Sequence, residues 1–431
     1  MAELIQPVRG MNDILLEDAP LWGRLEHAAG LIFEAYGYVQ VRLPVLERTE
    51  LFKRSIGELT DIVDKEMYTF EDRNGDSLTL RPEATASMVR ACLTNGLLHN
   101  QQQKLWTAGP MFRREKPQKG RYRQFHQLSV EALGYAEPET DAELIAMSAR
   151  LWRQLDLSHV SLEINSLGTL EARNAYKKLL TDYLRAHEAE LDEDSLRRLE
   201  RNPLRILDSK NPAMQEMLDA APALADHLDE ESRGHFARVR ELLDDAGIAY
   251  AINPRLVRGL DYYSRTVFEW VTDRLGAQSA VCSGGRYDGL VAQLGGRATP
   301  AVGWALGIER IVELIRIESG EPDHSTADVF IACVGDAARR VGFACAETLR
   351  SELPALRVVF GLSASGLKAQ MRRADRSGAR YAVIIGDDEC AAGELSFKPL
   401  LSDQPQRRIT LPQLVSELGG TVISPDQARS S

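Results

Sequence analysis

The sequence has no uninterrupted apolar run approaching the ~18 residues that a membrane span needs, and its first ten residues, MAELIQPVRG, hold no apolar signal core. A cytoplasmic enzyme with no membrane partner is therefore the default expectation. Cysteine is sparse. Cys92, Cys282, Cys333, Cys345 and Cys390 stand far apart, and none forms a C-x-x-C pair. That spacing argues against a disulfide framework and against a zinc knuckle. It leaves reduced thiols packed as small hydrophobes. Excess positive charge is missing too. The formal net charge of −11 disfavours indiscriminate nucleic-acid binding, although a local basic patch can still hold phosphates. No internal repeat or low-complexity tract occurs. What remains is an ordinary globular composition, 44% hydrophobic and 27% charged over 431 residues, enough for about two to four domains.

Residues 17–36 read as an amphipathic helix, with Leu21, Leu25, Ala28, Ile32 and Tyr36 at i+3/i+4 spacing and Gly37 to end it. YVQVRLPVLE predicts a strand at a sheet edge or with a bend, because Pro44 cannot donate to a ladder. In EMYTFEDRNGDSLTLR, residues 66–81, two alternating runs flank Asn74-Gly75 and predict a hairpin. A helix is predicted from RPEATASMVRACL, with Pro82 in its first turn. Residues 104–134 read as a longer hairpin around a basic loop. Hairpins in series imply an antiparallel sheet. Residues 170–245 read as a helical insertion broken at Pro203, Pro212 and Pro222, and strand patterns return at 249–253 and 262–271. After a polar linker, ESGEPDHST at 318–326, strands and helices alternate through DVFIACV, LRVVFGL and YAVIIGDDE, then a short strand and a final helix. This predicts a small α/β domain.

Four constellations carry candidate chemistry, each with a plain structural alternative. In the long hairpin, period-two alternation puts Phe125, Gln127, Ser129 and Glu131 on one face and His126, Leu128, Val130 and Ala132 on the other. Arg113 ends the partner strand, and the loop holds Arg114, Lys116, Lys119, Arg121 and Arg123 against one acid, Glu115. Arginine forks pair bidentately with phosphate, so the loop is either a phosphate grip or a solvated basic turn. In RGLDYYSRTVFEW, residues 258–270, a cation precedes a glycine turn, and a regular strand would point Tyr262 and Tyr263 in opposite directions. An aromatic core strand is the alternative. SGGRYDGL, residues 283–290, has two glycines that permit close backbone approach, or simply a turn. PAVGWALGIERIVELI, residues 300–315, reads as a helix with Gly303 and Gly307 one turn apart on one face. Nearer the C-terminus, Lys368, Arg372, Arg376 and Arg380 recur every four residues, a helical basic stripe suited to an RNA backbone or to solvent.

Together these segments resemble the class II aminoacyl-tRNA synthetases, in the histidyl-tRNA synthetase family, over about residues 5–420. VRLPVLERTELF (41–52) is similar to motif 1, GPMFRREKPQKGRYRQFHQLSVE to motif 2, and G-x-A-x-G-x-E-R at 303–310 to motif 3. RGLDYY and SGGRYDGL resemble the two histidyl-specific motifs, and TLRPEAT the family's TLRPE-x-T element. The resemblance implies an α+β fold: an antiparallel sheet flanked by helices in a catalytic domain at 1–320, an insertion at about 170–245, and a C-terminal α/β anticodon-binding domain at 327–425. It implies Arg258 and Arg113 as catalytic cations at the α-phosphate. Glu83, Thr85, Gln127, Glu131, Tyr262, Tyr263 and Tyr287 would bind L-histidine. Arg113, Arg121, Glu115 and Arg310 would bind ATP, brought with Mg2+ and without a protein metal site. Arg114, Lys116, Lys119, Arg123, Lys368, Arg372 and Arg376 would meet tRNA(His), and the motif 1 element would build a homodimer. The family often has an aromatic residue where this chain has Leu367. Two rivals share the resemblance: a regulatory, synthetase-like subunit of ATP phosphoribosyltransferase, which lacks the C-terminal domain, and a non-enzymatic module that senses uncharged tRNA, usually set in a longer chain. Arg113, Arg258, Arg310 and residues 327–420 favour the enzyme.

Overall fold

A computed structural model describes residues 4–57, 60–117, 120–260, 262–276, 279–320, 325–361 and 365–422. The chain divides into two compact units, Met1–Glu321 and Pro322–Ser431.

The strands of the first unit are β1 (Val39–Gln40), β2 (Leu46–Arg48), β3 (Tyr68–Glu71), β4 (Ser77–Leu80), β5 (Gln103–Phe112), β6 (Gln124–Leu133), β7 (Ser161–Ser166), β8 (Ala251–Ile252), β9 (Ser264–Val271), β10 (Ala280–Arg286) and β11 (Ala301–Gly307). Eight of them form one sheet in the order β1-β5-β6-β11-β10-β9-β7-β8. Its interior pairs are antiparallel, and only the edge pairs β1–β5 and β7–β8 are parallel. Pro44 falls between β1, at the edge of this sheet, and β2, at the edge of the small sheet β2-β4-β3. The chain changes sheets where proline forbids a continuous ladder.

The helices Ala19–Ala35, Pro138–Gln154 and Ile308–Ser319 cover one face of the large sheet. Their buried residues, among them Leu25, Phe33, Leu144 and Ile311, share a core with Leu128, Val130 and Ala132 of β6 and Val302, Trp304 and Leu306 of β11. The intervening residues of β6 and β11 face the other way, and there the candidate site lies.

Three expectations need correction. Residues 301–307 are a strand, not the start of a helix; the helix begins at Ile308. The face of this strand turned toward the cavity carries Gly303, Ala305 and Gly307, small residues rather than polar ones, so its period of two is masked in hydropathy. The helix after β4 begins at Thr85, leaving Pro82 ahead of the first turn, where its carbonyl accepts from Arg113 Nε at 2.9 Å. And β9 starts only at Ser264, so strand alternation does not govern Tyr262 and Tyr263.

Residues 170–245 contain the helices Leu170–Ala186, Glu193–Arg201, Gln215–Asp219 and Glu230–Asp245, with Pro203 and Pro212 opening single turns of 3-10 helix. Thr169, Asp192 and Asp229 cap three of these helices through side-chain oxygens that accept from Ala172, Ser195 and Ser232 amides at 3.3, 2.8 and 2.7 Å. Each such cap stabilises its helix by about 1 kcal/mol.

The second unit contains β12 (Val329–Cys333), β13 (Val358–Phe360), β14 (Tyr381–Ile385), β15 (Leu395–Pro399) and β16 (Arg407–Ile409), in the order β13-β12-β14-β15-β16. The first three are parallel; β15 and β16 extend the sheet antiparallel. The sequence pattern predicts one strand after β14, and there are two, preceded by a short helix, Asp387–Ala392. On the helix Leu367–Arg376, Gln370 and Ala374 are buried while Lys368, Arg372 and Arg376 are exposed. Gln370 fixes that helix by accepting from the Cys333 amide at 3.0 Å and donating to its carbonyl at 2.7 Å. Arg380 lies past the helix end, so the stripe has three helical members.

All five cysteines are free thiols; Cys92, Cys282, Cys333 and Cys345 are buried and Cys390 is half-buried. Burial pushes the Cys92 and Cys333 thiols up to about 11 and Cys345 to about 12.

Candidate active site

The open face of β6 and β11 is paved unevenly. Glu131 pairs with Gly303, Ser129 with Ala305 and Gln127 with Gly307. Large polar side chains on one strand thus stand beside almost nothing on the next. The gap is required: a β-carbon at Gly303 would collide with the Glu131 carboxylate and the Val130 carbonyl. Gly285 serves a related purpose on β10, since a β-carbon there would meet the Thr266 carbonyl at 2.6 Å and the Tyr263 ring at 3.0 Å.

One end of the resulting cavity is buried and interlocked. Glu131, 1% exposed, accepts from the Thr85 hydroxyl at 2.6 Å and the Tyr287 hydroxyl at 2.5 Å. Burial pushes its carboxyl up to about 8; the two hydroxyls oppose the rise, and the charge of Glu83 adds to it. Glu83 accepts from the Thr85 and Ala86 amides at 2.7 and 2.9 Å, in the first turn of the helix Thr85–Thr94. Burial raises its carboxyl as well, opposed by those amides and by Arg113. The rings of Tyr262 and Tyr263 lie 4.8 Å apart, and both approach Tyr287, at 5.6 and 6.4 Å. The two tyrosines therefore share one pocket rather than facing apart. Tyr287 is held by its neighbour: Arg286, fully buried, pairs with Asp141 and Asp288 and donates to the Tyr135 carbonyl at 2.8 Å.

The other end is cationic and more open. Arg113 lies 5.3 Å from the Phe125 ring centroid, and Arg121 pairs with Glu115 at 2.7 Å. Arg310 sits in the first turn of the helix Ile308–Ser319; burial, then the charge of Arg121, lowers its guanidinium. Between the ends stands Arg258, which donates to Glu269 at 2.9 Å and lies 5.3 Å from the Tyr263 ring. Burial alone would lower Arg258, but Tyr263 and Glu269 outweigh it and raise the group.

One cavity of ≈370 Å³ is lined by Glu83, Thr85, Arg113, Glu115, Arg121, Gln127, Arg258, Tyr262, Tyr263 and Arg310, while Glu131 and Tyr287 lie one layer beneath. Gln127 Oε1 is buried there with no hydrogen-bond partner among the described residues, a costly state that a ligand donor would relieve. Of the basic loop, Arg114 and Lys116 are exposed, and Arg123 is half-buried with its guanidinium on the Glu115 and Arg9 carbonyls, both at 3.4 Å. Lys119 lies outside the described residues. Lys368, Arg372 and Arg376 belong to the second unit. Among the described residues no group of three or more His, Cys, Asp or Glu could hold a metal ion, and no helix is long and apolar enough to cross a membrane. Sequence reasoning missed Glu269, which also accepts from Ser283 at 2.9 Å. An acid inside the apolar run TVFEWV was the available signal.

A family model described as histidyl-tRNA synthetase matches residues 10–311, and one described as an anticodon binding domain matches residues 328–420. The chain is 59% identical over 418 residues to a histidine–tRNA ligase of Halorhodospira halophila, covering 97% of this chain and 98% of that one. The chain belongs to the histidyl-tRNA synthetase family. A solved relative, the apo histidyl-tRNA synthetase of S. aureus, is 36% identical with a TM-score of 0.78, covering 96% of this chain and 99% of the other. The helix-flanked sheet and the C-terminal anticodon-binding domain place the fold with the class II synthetases. A protein from Bacillus halodurans titled ATP phosphoribosyltransferase regulatory subunit/histidyl-tRNA synthetase shares the fold at 22% identity, with a TM-score of 0.63 and coverage of 90% of this chain and 99% of that one. Likeness of that order speaks for the fold alone.

Proposed function

We propose that the chain activates L-histidine with ATP and transfers the histidyl group to the 3′ end of tRNA(His). One observation carries the reading: Arg113, Arg258 and Arg310, from three distant segments, line the same cavity as a buried, prehydrogen-bonded acidic pocket. In the first step a carboxylate oxygen of histidine attacks the α-phosphorus of ATP; an O–P bond forms as the bond to pyrophosphate breaks. Arg258 and Arg113 flank the charge that develops there, the kind of preorganised contribution that dominates many enzymatic barriers. In the second step a terminal ribose hydroxyl of tRNA attacks the adenylate carbonyl and AMP leaves.

Glu83 receives the α-ammonium of histidine with Thr85 beside it. Gln127, Glu131, Tyr262, Tyr263 and Tyr287 surround the rest of the amino acid. Arg310, with Glu115 and Arg121, holds the nucleotide, and Mg2+ would enter with ATP as part of the substrate complex. Arg114, Lys116, Lys119 and Arg123 meet the acceptor end, and Lys368, Arg372 and Arg376 the RNA backbone. The catalytic domain is residues 1–320 with its insertion at about 170–245, and the anticodon-binding domain is residues 327–425. The protein works as a cytoplasmic homodimer through residues 41–52.

ATP–pyrophosphate exchange with each of the twenty amino acids, without tRNA, tests the first step. Exchange with histidine alone is expected. Well-folded protein that exchanges with none would sink the synthetase reading in favour of the regulatory paralogue.

A further inference from the structure

Strand β6 outruns its neighbour. β11 ends at Gly307, opposite Gln127, so the amides at the start of β6 lose their ladder partner on that side. Groups from elsewhere in the chain replace it. The Glu309 carboxylate accepts from the His126 amide at 2.9 and 3.0 Å. The Gly10 carbonyl accepts from the Arg123 and Gln124 amides at 2.7 and 3.2 Å. The Arg123 carbonyl in turn accepts from the Arg113 amide at 2.9 Å. Gly10 thus reaches, through a single intervening residue, the backbone of a cation proposed at the α-phosphate. We propose that Gly10 is a positioning residue: the N-terminal arm braces the basic hairpin loop, residues 113–123, so that Arg113 is in place before ATP arrives. The proposal rests on the synthetase reading above and adds to its nucleotide end a residue that does not line the cavity.

The arm itself gains little from the contact. Residues 4–9 and 12–17 are exposed, and Gly10 is buried between them. A segment that buries so little of its own surface draws little stability from packing, and its one buried point lies against the loop. The local conformation is specific. The Met11 amide donates to the Val8 carbonyl at 2.9 Å and closes a turn in which Gly10 has φ +84°. Positive φ at the third position of such a turn calls for glycine. A β-carbon there would also meet Pro117 Cγ at 3.0 Å and Arg123 Cγ at 3.1 Å. The missing side chain is what lets loop and arm close on each other.

Charge explains why the loop needs a hold from outside. Residues 113–123 carry six cations against one acid, Glu115. Like charges gathered in one loop push it open in the absence of an anion. The arm answers with carbonyl oxygens, and the Arg123 guanidinium also reaches the Arg9 carbonyl at 3.4 Å. A carboxylate in that position would compete with phosphate for the arginines. A carbonyl holds the backbone and leaves Arg113 its charge for the nucleotide. The other stem of the loop is pinned in the same way, by the Arg114 amide on the Glu66 carbonyl at 2.7 Å.

Gly10→Ala and Gly10→Asn in the full chain test the brace. Asparagine accepts positive φ more readily than alanine yet brings the same crowding against the loop. Gly75→Ala is the control: Gly75 has φ +83°, and nothing lies within 4 Å of an added β-carbon, so it carries the backbone strain without the loop contact. Each variant is measured for histidine-dependent ATP–pyrophosphate exchange, for melting temperature, and for the rate of tryptic cleavage after Arg121 with and without ATP. Gly10→Ala is expected to lower kcat/KM for ATP about tenfold, a loss that a small misplacement of a catalytic group can produce, with KM for histidine within about twofold. Gly10→Asn should shift the same way by a smaller factor. Cleavage after Arg121 should quicken in both and slow again at saturating ATP. Gly75→Ala should melt lower and keep both Michaelis constants. Gly10 variants that behave like this control, melting lower with KM for ATP unaltered, would leave the arm a merely structural strap and overturn the proposal. So would equal rises in the two Michaelis constants, or unchanged cleavage of the loop. Wild-type protein without histidine-dependent exchange would overturn the synthetase reading, while the cleavage comparison, which needs no substrate, would still decide whether the arm braces the loop.

Discussion

The two ends of the catalytic cavity are built on opposite plans. At one end Glu83 and Glu131 are buried, and each accepts two hydrogen bonds from the protein before any ligand arrives. At the other, Arg113 and Arg310 are half-buried and Arg121 is exposed on a hairpin loop. The first plan suits discrimination, because a preassembled hydrogen-bonding pocket rejects a ligand that leaves its groups unpaired. The second suits turnover. On the proposed reading these charges receive a triphosphate and release pyrophosphate, and they gain from partial hydration, which keeps each interaction modest.

Arg258 stands at the seam, and its removal should break the arrangement most severely. Arg258→Ala is expected to slow histidine-dependent exchange by about 100-fold or more, mainly in kcat; steady-state exchange kinetics would reveal a loss confined to KM as contrary to this role. Gly303→Ala disturbs only the interlocked end. Crowding Glu131 should destabilise the fold by about 1–3 kcal/mol and raise KM for histidine more than KM for ATP. Equal rises in both constants would mean that the two ends are not separable.

Glu131 sharpens the contrast through pH. Its folded value of about 8 lies above the ordinary 4.5. Between those values the unfolded chain releases a proton that the folded chain keeps, so stability falls as pH climbs through the window. Glu131→Gln lacks that term. Thermal melts should therefore favour the variant progressively, relative to wild type, from pH 5 to pH 8, and a constant gap would contradict the burial argument. The smallest effect belongs to the open end: Arg121→Ala should raise KM for ATP a few-fold and leave KM for histidine unchanged, since an exposed ion pair contributes about 0–1 kcal/mol.

Much of this architecture is legible in the residues, and the exceptions have physical causes. Alternation in QFHQLSVEAL sorts β6 because one of its faces is polar. The same rule fails on AVGWALG, where neither face is polar. There the alternation is of size, with Gly303, Ala305 and Gly307 against Val302, Trp304 and Leu306, and glycines four apart imitate a helix face. Tyr262 and Tyr263 converge because the backbone turns before β9 begins, and no periodicity describes a turn. The partnership of Arg258 with Glu269 joins residues eleven apart in sequence; chain order alone does not suggest it. The pairing of Glu131 with Thr85 and Tyr287 spans 46 and 156 positions, distances at which only the folded sheet makes neighbours.

The five thiols have a practical consequence. Cys92, Cys282, Cys333 and Cys345 are buried and their thiols are raised, so little reactive thiolate is present at neutral pH. Cys390, half-buried on the short helix Asp387–Ala392 of the anticodon-binding unit, is the accessible member of the set. A maleimide dye should therefore couple at that position ahead of the others, marking the anticodon-binding unit of the native chain without any mutation.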